Sequence, residues 1–364
     1  MLQDVNDNEL QFGGKVIVFG GDFRQILPVV LKATREETIN ASLVNSYLWP
    51  MLEKIRLTEN MRAKFDPLFS QFLLRIGNGT EETDADEKIK LPAMMTIPYD
   101  DNETFLNTLL DIVFPNIHDY SNNINFMINR AILTPTNDYV DEINNLLIHK
   151  FPGYAMKCYS FDETLDKTKQ GFQEDFLNTL TPNGLFPHEL VLKPGCPIML
   201  HRNISPSEAL CNGTRLICNQ FESNVIDAEI AIGHYHGKIV FLPRIPFLPM
   251  ENDKYPFPFK RTKFPIPLSF AMTIKKSQGQ TFDYVGIYLP QPAHLLATKA
   301  SSSFIINPDT SVAIELHSWS ILNESILEDI IKNKSYMTFV SSFAPAFIKD
   351  VQIDKIETLL TKIN

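Results

Sequence analysis

One apolar run constrains the fold more than any other feature: Gly14-Lys15-Val16-Ile17-Val18-Phe19-Gly20-Gly21-Asp22. Its centre is continuously hydrophobic rather than alternating, which suits a strand covered on both faces, as in the parallel sheet of an α/β domain. Polar residues follow at its carboxyl end, where open α/β sheets bind ligands. The string continues Gly20-Gly21-Asp22-Phe23-Arg24-Gln25-Ile26-Leu27-Pro28-Val29. Gly20 and Gly21 let the backbone pass close to a phosphate. Gln25 has the reach to hydrogen-bond a γ-phosphate or an attacking water. Asp22 serves as well to cap an ordinary strand-to-helix turn. Further on, Leu57-Thr58-Glu59-Asn60-Met61-Arg62 ends in an arginine that can stabilise a transferring phosphoryl group, although a lone helical arginine is more often a surface residue.

The 364 residues allow two or three domains, and 44% hydrophobic with 11% aromatic residues indicates a packed chain. The longest apolar runs are strand-sized, so no membrane span is expected, and the polar start Met1-Leu2-Gln3-Asp4 is not a secretory signal. The four cysteines, Cys158, Cys196, Cys211 and Cys218, have no C-x-x-C spacing and read as free thiols rather than metal ligands. We expect a first α/β unit over 1–63, a helical linker with an acidic loop over 64–125, and a second α/β unit opening at 126–184. Within that second unit, Arg130 to Leu133 reads as a strand, Thr134-Pro135-Thr136-Asn137 as a capping turn, and Tyr139 to His149 as a helix. Short strands punctuated by Pro and Gly at roughly ten-residue spacing predict a small β-barrel over 185–254. The α/β pattern returns over 255–290, and a divergent tail covers 291–364, ending in a helix at Gln352 to Ile363.

The net charge of −10 is unevenly spread. Between Phe259 and Gln280 stand Lys260, Arg261, Lys263, Lys275 and Lys276 with no acidic residue, whereas 81–87 holds only acidic charge. Such a stripe is either a phosphate track or a solvated face. Lys275, Lys276 and Ser277 lie in Thr273-Ile274-Lys275-Lys276-Ser277-Gln278-Gly279-Gln280-Thr281, where lysines, hydroxyls and a glycine in one turn can bind a phosphate backbone. Phe259, Phe264 and Phe270 can stack on bases or fill a core. In Leu192-Lys193-Pro194-Gly195 and Asn212-Gly213-Thr214-Arg215, Lys193 and Arg215 either contact phosphates or are structural.

In this order the strings resemble the petite-integration-frequency helicase family of superfamily one, and most closely its Helitron-transposon branch. The resemblance runs from Phe12 to Pro290. It implies tandem RecA-like P-loop NTPase domains, the first incomplete, with an SH3-like barrel inserted in the second. Asp22 and Gln25 would belong to motif III and Arg62 to motif IV. Thr134, Thr136 and Asn137 would face DNA, and Thr273 to Thr281 would form motif V, touching DNA and, through Gln278 and Gly279, the nucleotide. The implied activity is 5′→3′ unwinding of DNA driven by ATP with Mg²⁺, on single-stranded DNA, in repair, recombination or Helitron transposition in the nucleus.

The chain departs from the family at both ends. No G-x-x-x-x-G-K-[ST] occurs, the Walker B acidic pair is missing because the chain begins just past its place, and no arginine follows Arg261. Val140-Asp141-Glu142 does not replace that pair, because it falls on a predicted helix. We therefore expect few strands in the first sheet and little ATP hydrolysis by this chain. The alternatives are a non-catalytic single-strand-binding remnant of a transposon helicase and a purely structural protein.

Overall fold

The computed structural model describes residues 9–15, 17–21, 30, 33–56, 66–84, 89–92, 95–97, 101–122, 124–165, 174–180, 187–249, 258–278, 280, 282–290, 293–296, 303–306, 311–315 and 337–341. The helices are α1 (Arg35–Asn40), α2 (Pro67–Asn78), α3 (Asn102–Val113), α4 (Ile124–Ile128), α5 (Asn137–Lys150), α6 (Glu174–Thr179) and α7 (Ile274–Ser277). Strands β1 (Ile17–Gly21), β2 (Glu53–Arg56), β3 (Thr96–Ile97) and β4 (Arg130–Thr134) come first. Then follow β5 (Met156–Tyr159), β6 (Phe161–Thr164), β7 (Glu189–Leu192), β8 (Pro197–Met199), β9 (Arg215–Phe221), β10 (Val225–Ile230) and β11 (Ile239–Pro243). The remainder are β12 (Ile245–Phe247), β13 (Phe259–Lys263), β14 (Ala271–Thr273), β15 (Tyr284–Ile287), β16 (Ala293–Leu296), β17 (Ser303–Ile306), β18 (Ser311–Glu315) and β19 (Met337–Ser341).

The chain divides into two units, one of 1–94, 289–310 and 316–364, the other of 95–288 and 311–315. In the first, β1 and β2 do not pair with each other. Strand β19 lies between them, parallel to both, with Phe339 opposite Phe19 and Lys54. Among the described residues, 1–65 thus contribute two strands of a parallel sheet. The tail, which matched no pattern in the sequence, supplies the central strand. Its expected terminal helix, Gln352 to Ile363, lies outside the described residues. The segment expected as a helical linker holds helices α2 and α3. Asp66 caps α2 by accepting from Phe69 N–H, Gly79 closes it at φ 70°, and Asp101 caps α3 by accepting from Glu103 and Thr104 N–H.

The second unit is built on a five-stranded sheet ordered β14-β4-β15-β18-β3, in which β14, β4 and β15 are parallel. Ile132 and Ala131 of β4 are fully buried, as a doubly covered strand requires. Helix α3 packs so closely on β15 that a Cβ at Gly286 would stand 2.6 Å from Val113 Cγ2. Helix α5 is fixed by buried Asn144, whose amide donates to Leu268 O and Ala271 O and accepts from Ala271 N–H. This wires α5 to β14, and so positions the ends of both.

Between these α/β segments runs an antiparallel sheet ordered β11-β10-β9-β8, with β5-β7 and β12-β13-β6 beside it. Residues 189–247 are strand and turn with one short 3₁₀ stretch, as their alternation predicts. The inward residues Ile226, Ala228 and Ile230 of β10 alternate with half-buried Asp227 and Glu229. Gly213, at φ 91°, makes the turn into β9.

Candidate nucleic-acid interface

Strands β4 and β14 pair in parallel, with Thr273 opposite Thr134, so their carboxyl ends lie side by side. Each runs straight into a helix. Thr136 takes the N-cap position of α5 without making a side-chain cap bond. Thr273 caps α7 by accepting from Lys276 N–H at 3.3 Å. Two helix amino termini therefore open at neighbouring strand ends, and α5, at 14 residues, is long enough to contribute a useful dipole and unpaired N–H groups to an anion. Thr136, Asn137, Lys275 and Lys276 are exposed around this edge. Thr134 is fully buried beneath it, and its hydroxyl has no partner among the described residues. The Ser277 hydroxyl turns back to Ile274 O at 2.7 Å.

The local electrostatics follow from what packs against Lys276. Its ammonium lies 3.2 Å from Nε2 of His201, a half-buried imidazole. Burial, reinforced by Lys276 and Lys263, holds His201 at about 3, so the ring stays neutral and one nitrogen can accept from the ammonium. Burial also lowers Lys276, while Asp141 raises it. Asp141 itself is raised by burial and by Asp138, against Lys276 and Lys263. Asp141 lies within α5, as expected for Val140-Asp141-Glu142, and faces an open cavity of about 110 Å³ that it shares with Lys276, His201 and buried Ser269.

Other residues of the expected DNA track turn inward. Along β13, Phe259, Arg261 and Lys263 share the buried face. Arg261 is fully buried and grips Asp162 through Nε at 3.0 Å and Nη2 at 2.6 Å, and also donates to Leu177 O and Leu180 O. The Lys263 ammonium donates to Pro187 O at 2.7 Å. Lys260 pairs with Glu163 at 2.5 Å. Arg261 and Lys263 are therefore structural rather than part of a phosphate track, since a strand that buries Phe259 must bury the residues two and four positions on, and Lys260 on the opposite face is held by Glu163. Lys193 also serves the fold, donating to Phe151 O at 2.6 Å near the carboxyl end of α5. So does Arg215, buried against the Phe282 ring and donating to Ile128 O. Phe259, Phe264 and Phe270 are core residues, not stacking platforms.

For the nucleotide, Gly20 stands exposed at the carboxyl end of β1, with no atom within 4 Å of where a Cβ would be. Gly21 ends that strand, and Gln278 caps the end of α7. Asp22, Gln25, Arg62 and Gly279 lie outside the described residues. An open backbone at a strand end suits a phosphate, but the described residues do not assemble a nucleotide cradle. Among them, no group of three or more His, Cys, Asp or Glu is placed to hold a metal, and no helix is long and apolar enough to cross a membrane.

Sequence reasoning does not single out His201 at this edge, nor the bond by which the Gln280 amide donates to Gly213 O at 2.9 Å and ties the β-rich insert to the segment after α7. Asp141 could have been found, because it stands one helical turn after Asn137 on α5.

The fold defines an α/β protein whose candidate edge lies at strand carboxyl ends, with an antiparallel β insert. A model of the PIF1-like helicases matches residues 1–87, and one of the DNA helicase Pif1 2B domain matches 175–221. A Pif1 helicase from Bacteroides, solved in complex with ADP-AlF3 and ssDNA, is similar at a TM-score of 0.51 and 18% identity, over 99% of this chain and 71% of that one. Another, from a study of unwinding at forked dsDNA by two coordinating Pif1 helicases, gives 0.52 and 19% over 99% and 70%. The Pif1 helicase of Candida albicans is 21% identical over 78% of this chain, at a TM-score of 0.47. The chain spans 60% of that protein's length. No curated protein matches it. The two family models cover separate parts of the chain, and the likeness to the two Pif1 structures at TM-scores of 0.51 and 0.52 shows a fold of tandem RecA-like α/β domains.

Proposed function

We propose that this chain is the strand-engaging and coupling portion of an ATP-dependent 5′→3′ DNA helicase acting on single-stranded DNA. The observation that carries this is the pairing of β4 with β14, which sets Thr136, Asn137, Thr273, Lys275 and Lys276 around two adjacent helix amino termini. Backbone N–H groups, hydroxyls and two ammonium groups at one edge are the equipment for sequence-independent phosphate contact. The matches to PIF1-like helicase models support coupling of that edge to ATP and Mg²⁺, with Gly20, Gly21, Asp22, Gln25, Arg62, Gln278 and Gly279 as the nucleotide-side residues. In that reading the insert is SH3-like, and the protein works in the nucleus in repair, recombination or Helitron transposition.

A second reading is favoured by one feature of the sequence: it contains no G-x-x-x-x-G-K-[ST]. Without that loop the β/γ-phosphates lack their cradle and a metal lacks its hydroxyl ligand, so the chain alone would hold a strand without turning over ATP. Anisotropy of a labelled single strand, measured beside ATP turnover and strand separation, tests both readings. Salt-sensitive binding with DNA-stimulated turnover supports the helicase, and binding without turnover supports the passive strand binder. No binding at low salt overturns both.

A further inference from the structure

Helix α5 turns a carboxylate toward the edge where Lys276 stands. Asn137, Asp141 and Asn144 recur at intervals of four and three residues, so they share one face of the helix. The Asn144 end of that face is fixed, because its amide bonds Leu268 O, Ala271 O and Ala271 N–H beside β14. One turn earlier Asp141 stands exposed, lining the same cavity as Thr273 and Lys276, which belong to the start of α7. Burial lowers Lys276 and Asp141 raises it, while burial and Asp138 raise Asp141 against Lys276 and Lys263. Carboxylate and ammonium therefore act on each other. The neighbouring His201 ring, 3.2 Å from the ammonium and kept neutral by burial, adds no charge of its own.

A phosphate arriving at Lys276 meets that carboxylate. It must share the ammonium with Asp141, and it draws on the same helix field that Asp138 and Asp141, in the first turns of α5, already occupy. Both effects weaken the contact. We propose that Asp141 competes with the phosphate of the bound strand for Lys276 and so keeps that contact weak enough for the strand to be released. Asp141 is a positioning residue that acts through Lys276 and makes no contact with DNA itself. This rests on the strand-binding reading above and adds to it a device that sets affinity. The groups facing Asp141 are Asp138 on α5, Lys276 on α7, Lys263 on β13 and His201 after β8. Across acid pH His201 stays neutral. Lys263, held at about 7, gains charge in wild type and variant alike, so the ratio of their affinities reports Asp141.

The test uses the full chain and a labelled oligothymidylate of about 12 nucleotides, within the span of such sites. At pH 7 and low salt, Asp141→Asn should bind about three- to fivefold tighter than wild type, the worth of one nearby unit charge in water. Glu142→Gln removes the same charge from the next, exposed position of α5, outside the cavity lining, and should leave affinity close to wild type. The Asp141→Asn advantage should shrink as the pH is lowered toward about 5, because the raised carboxyl of the wild type then takes up a proton. In a Lys276→Ala background the advantage should largely vanish. Unchanged or weaker binding by Asp141→Asn overturns the proposal and leaves the strand-binding reading standing. An equal gain from Glu142→Gln, or one that persists in full at low pH or without Lys276, also overturns it, since net charge alone would then be at work. If the wild type binds no strand at low salt, the strand-binding reading falls and this proposal with it.

Discussion

Asp162→Ala is the most informative single perturbation of the fold. Both side chains of the Arg261–Asp162 pair are fully buried. Asp162 accepts Arg261 Nε at 3.0 Å on each oxygen and Nη2 at 2.6 Å, and its Oδ1 also accepts from the Ser160 hydroxyl at 2.7 Å. Truncating Asp162 leaves in the interior a guanidinium that cannot discharge itself by deprotonation, with the backbone carbonyls of Leu177 and Leu180 among its remaining acceptors. Breaking a buried pair in this way costs about 3–5 kcal/mol. For a unit of this size each kcal/mol shifts the melting temperature by about 2–4 °C, so a fall of about 10 °C is expected. The reference is Asp162→Leu with Arg261→Met, which removes both charges and should lie within about 1–2 kcal/mol of wild type, because apolar replacement of a buried pair is close to neutral. Urea unfolding followed by circular dichroism reads both variants. If Asp162→Ala costs under about 1 kcal/mol, or no more than the double replacement, the pair is solvated. Arg261 would then be available to DNA after all.

Two further perturbations probe packing and charge. Gly286→Ala places a Cβ 2.6 Å from Val113 Cγ2 and 3.0 Å from Leu109 Cδ1, so it should destabilise by about 1–3 kcal/mol in a thermal melt. An unchanged melting temperature would show that α3 yields to β15 freely. Burial, then Arg261, lowers Lys263 to about 7, with Asp162 and Asp141 opposing. Its folded value lies below the unfolded one, so the unfolded chain carries the extra proton from about pH 7 to 10, and stability should rise with pH across that window by at most about 5 kcal/mol. Lys263→Met should flatten the rise, and an equally steep rise in that variant would place its source elsewhere.

How much of this was legible in the sequence depended on how local each signal was. Strand β4 and helix α5 were read within a residue or two of their ends, because an apolar run, a Thr-Pro-Thr-Asn turn and a helical pattern follow in order. The β insert was legible for the same reason: alternation and Pro-Gly or Asn-Gly punctuation are written in adjacent residues. The place of β19 was not, because Met-Thr-Phe-Val-Ser is an ordinary strand and nothing local says that it enters between β1 and β2, some 280 residues earlier for the latter (337 against 53–56). The basic stripe misled for a physical reason. Charge was counted along the chain, whereas a strand alternates, and Arg261 is committed to Asp162, 99 residues away. Phe259 on the same strand was the available warning. At the site, the lysine turn and the capping threonines could be read because they are contiguous. The cavity could not, because Ser269, His201 and Asp141 meet only after β8, α5 and β14 pack.

The central claim is that single-stranded DNA is held at the joined ends of β4 and β14. The most direct measurement is the salt dependence of oligonucleotide affinity for the wild type and for Lys275→Ala with Lys276→Ala. Each lost phosphate contact on a single strand lowers the log–log slope by about 0.7, so the slope should become shallower by about 1.4 and affinity at low salt should fall. Lys260→Ala, whose ammonium is held by Glu163, should leave both values close to wild type. Unchanged affinity and slope in the double lysine variant would contradict the claim.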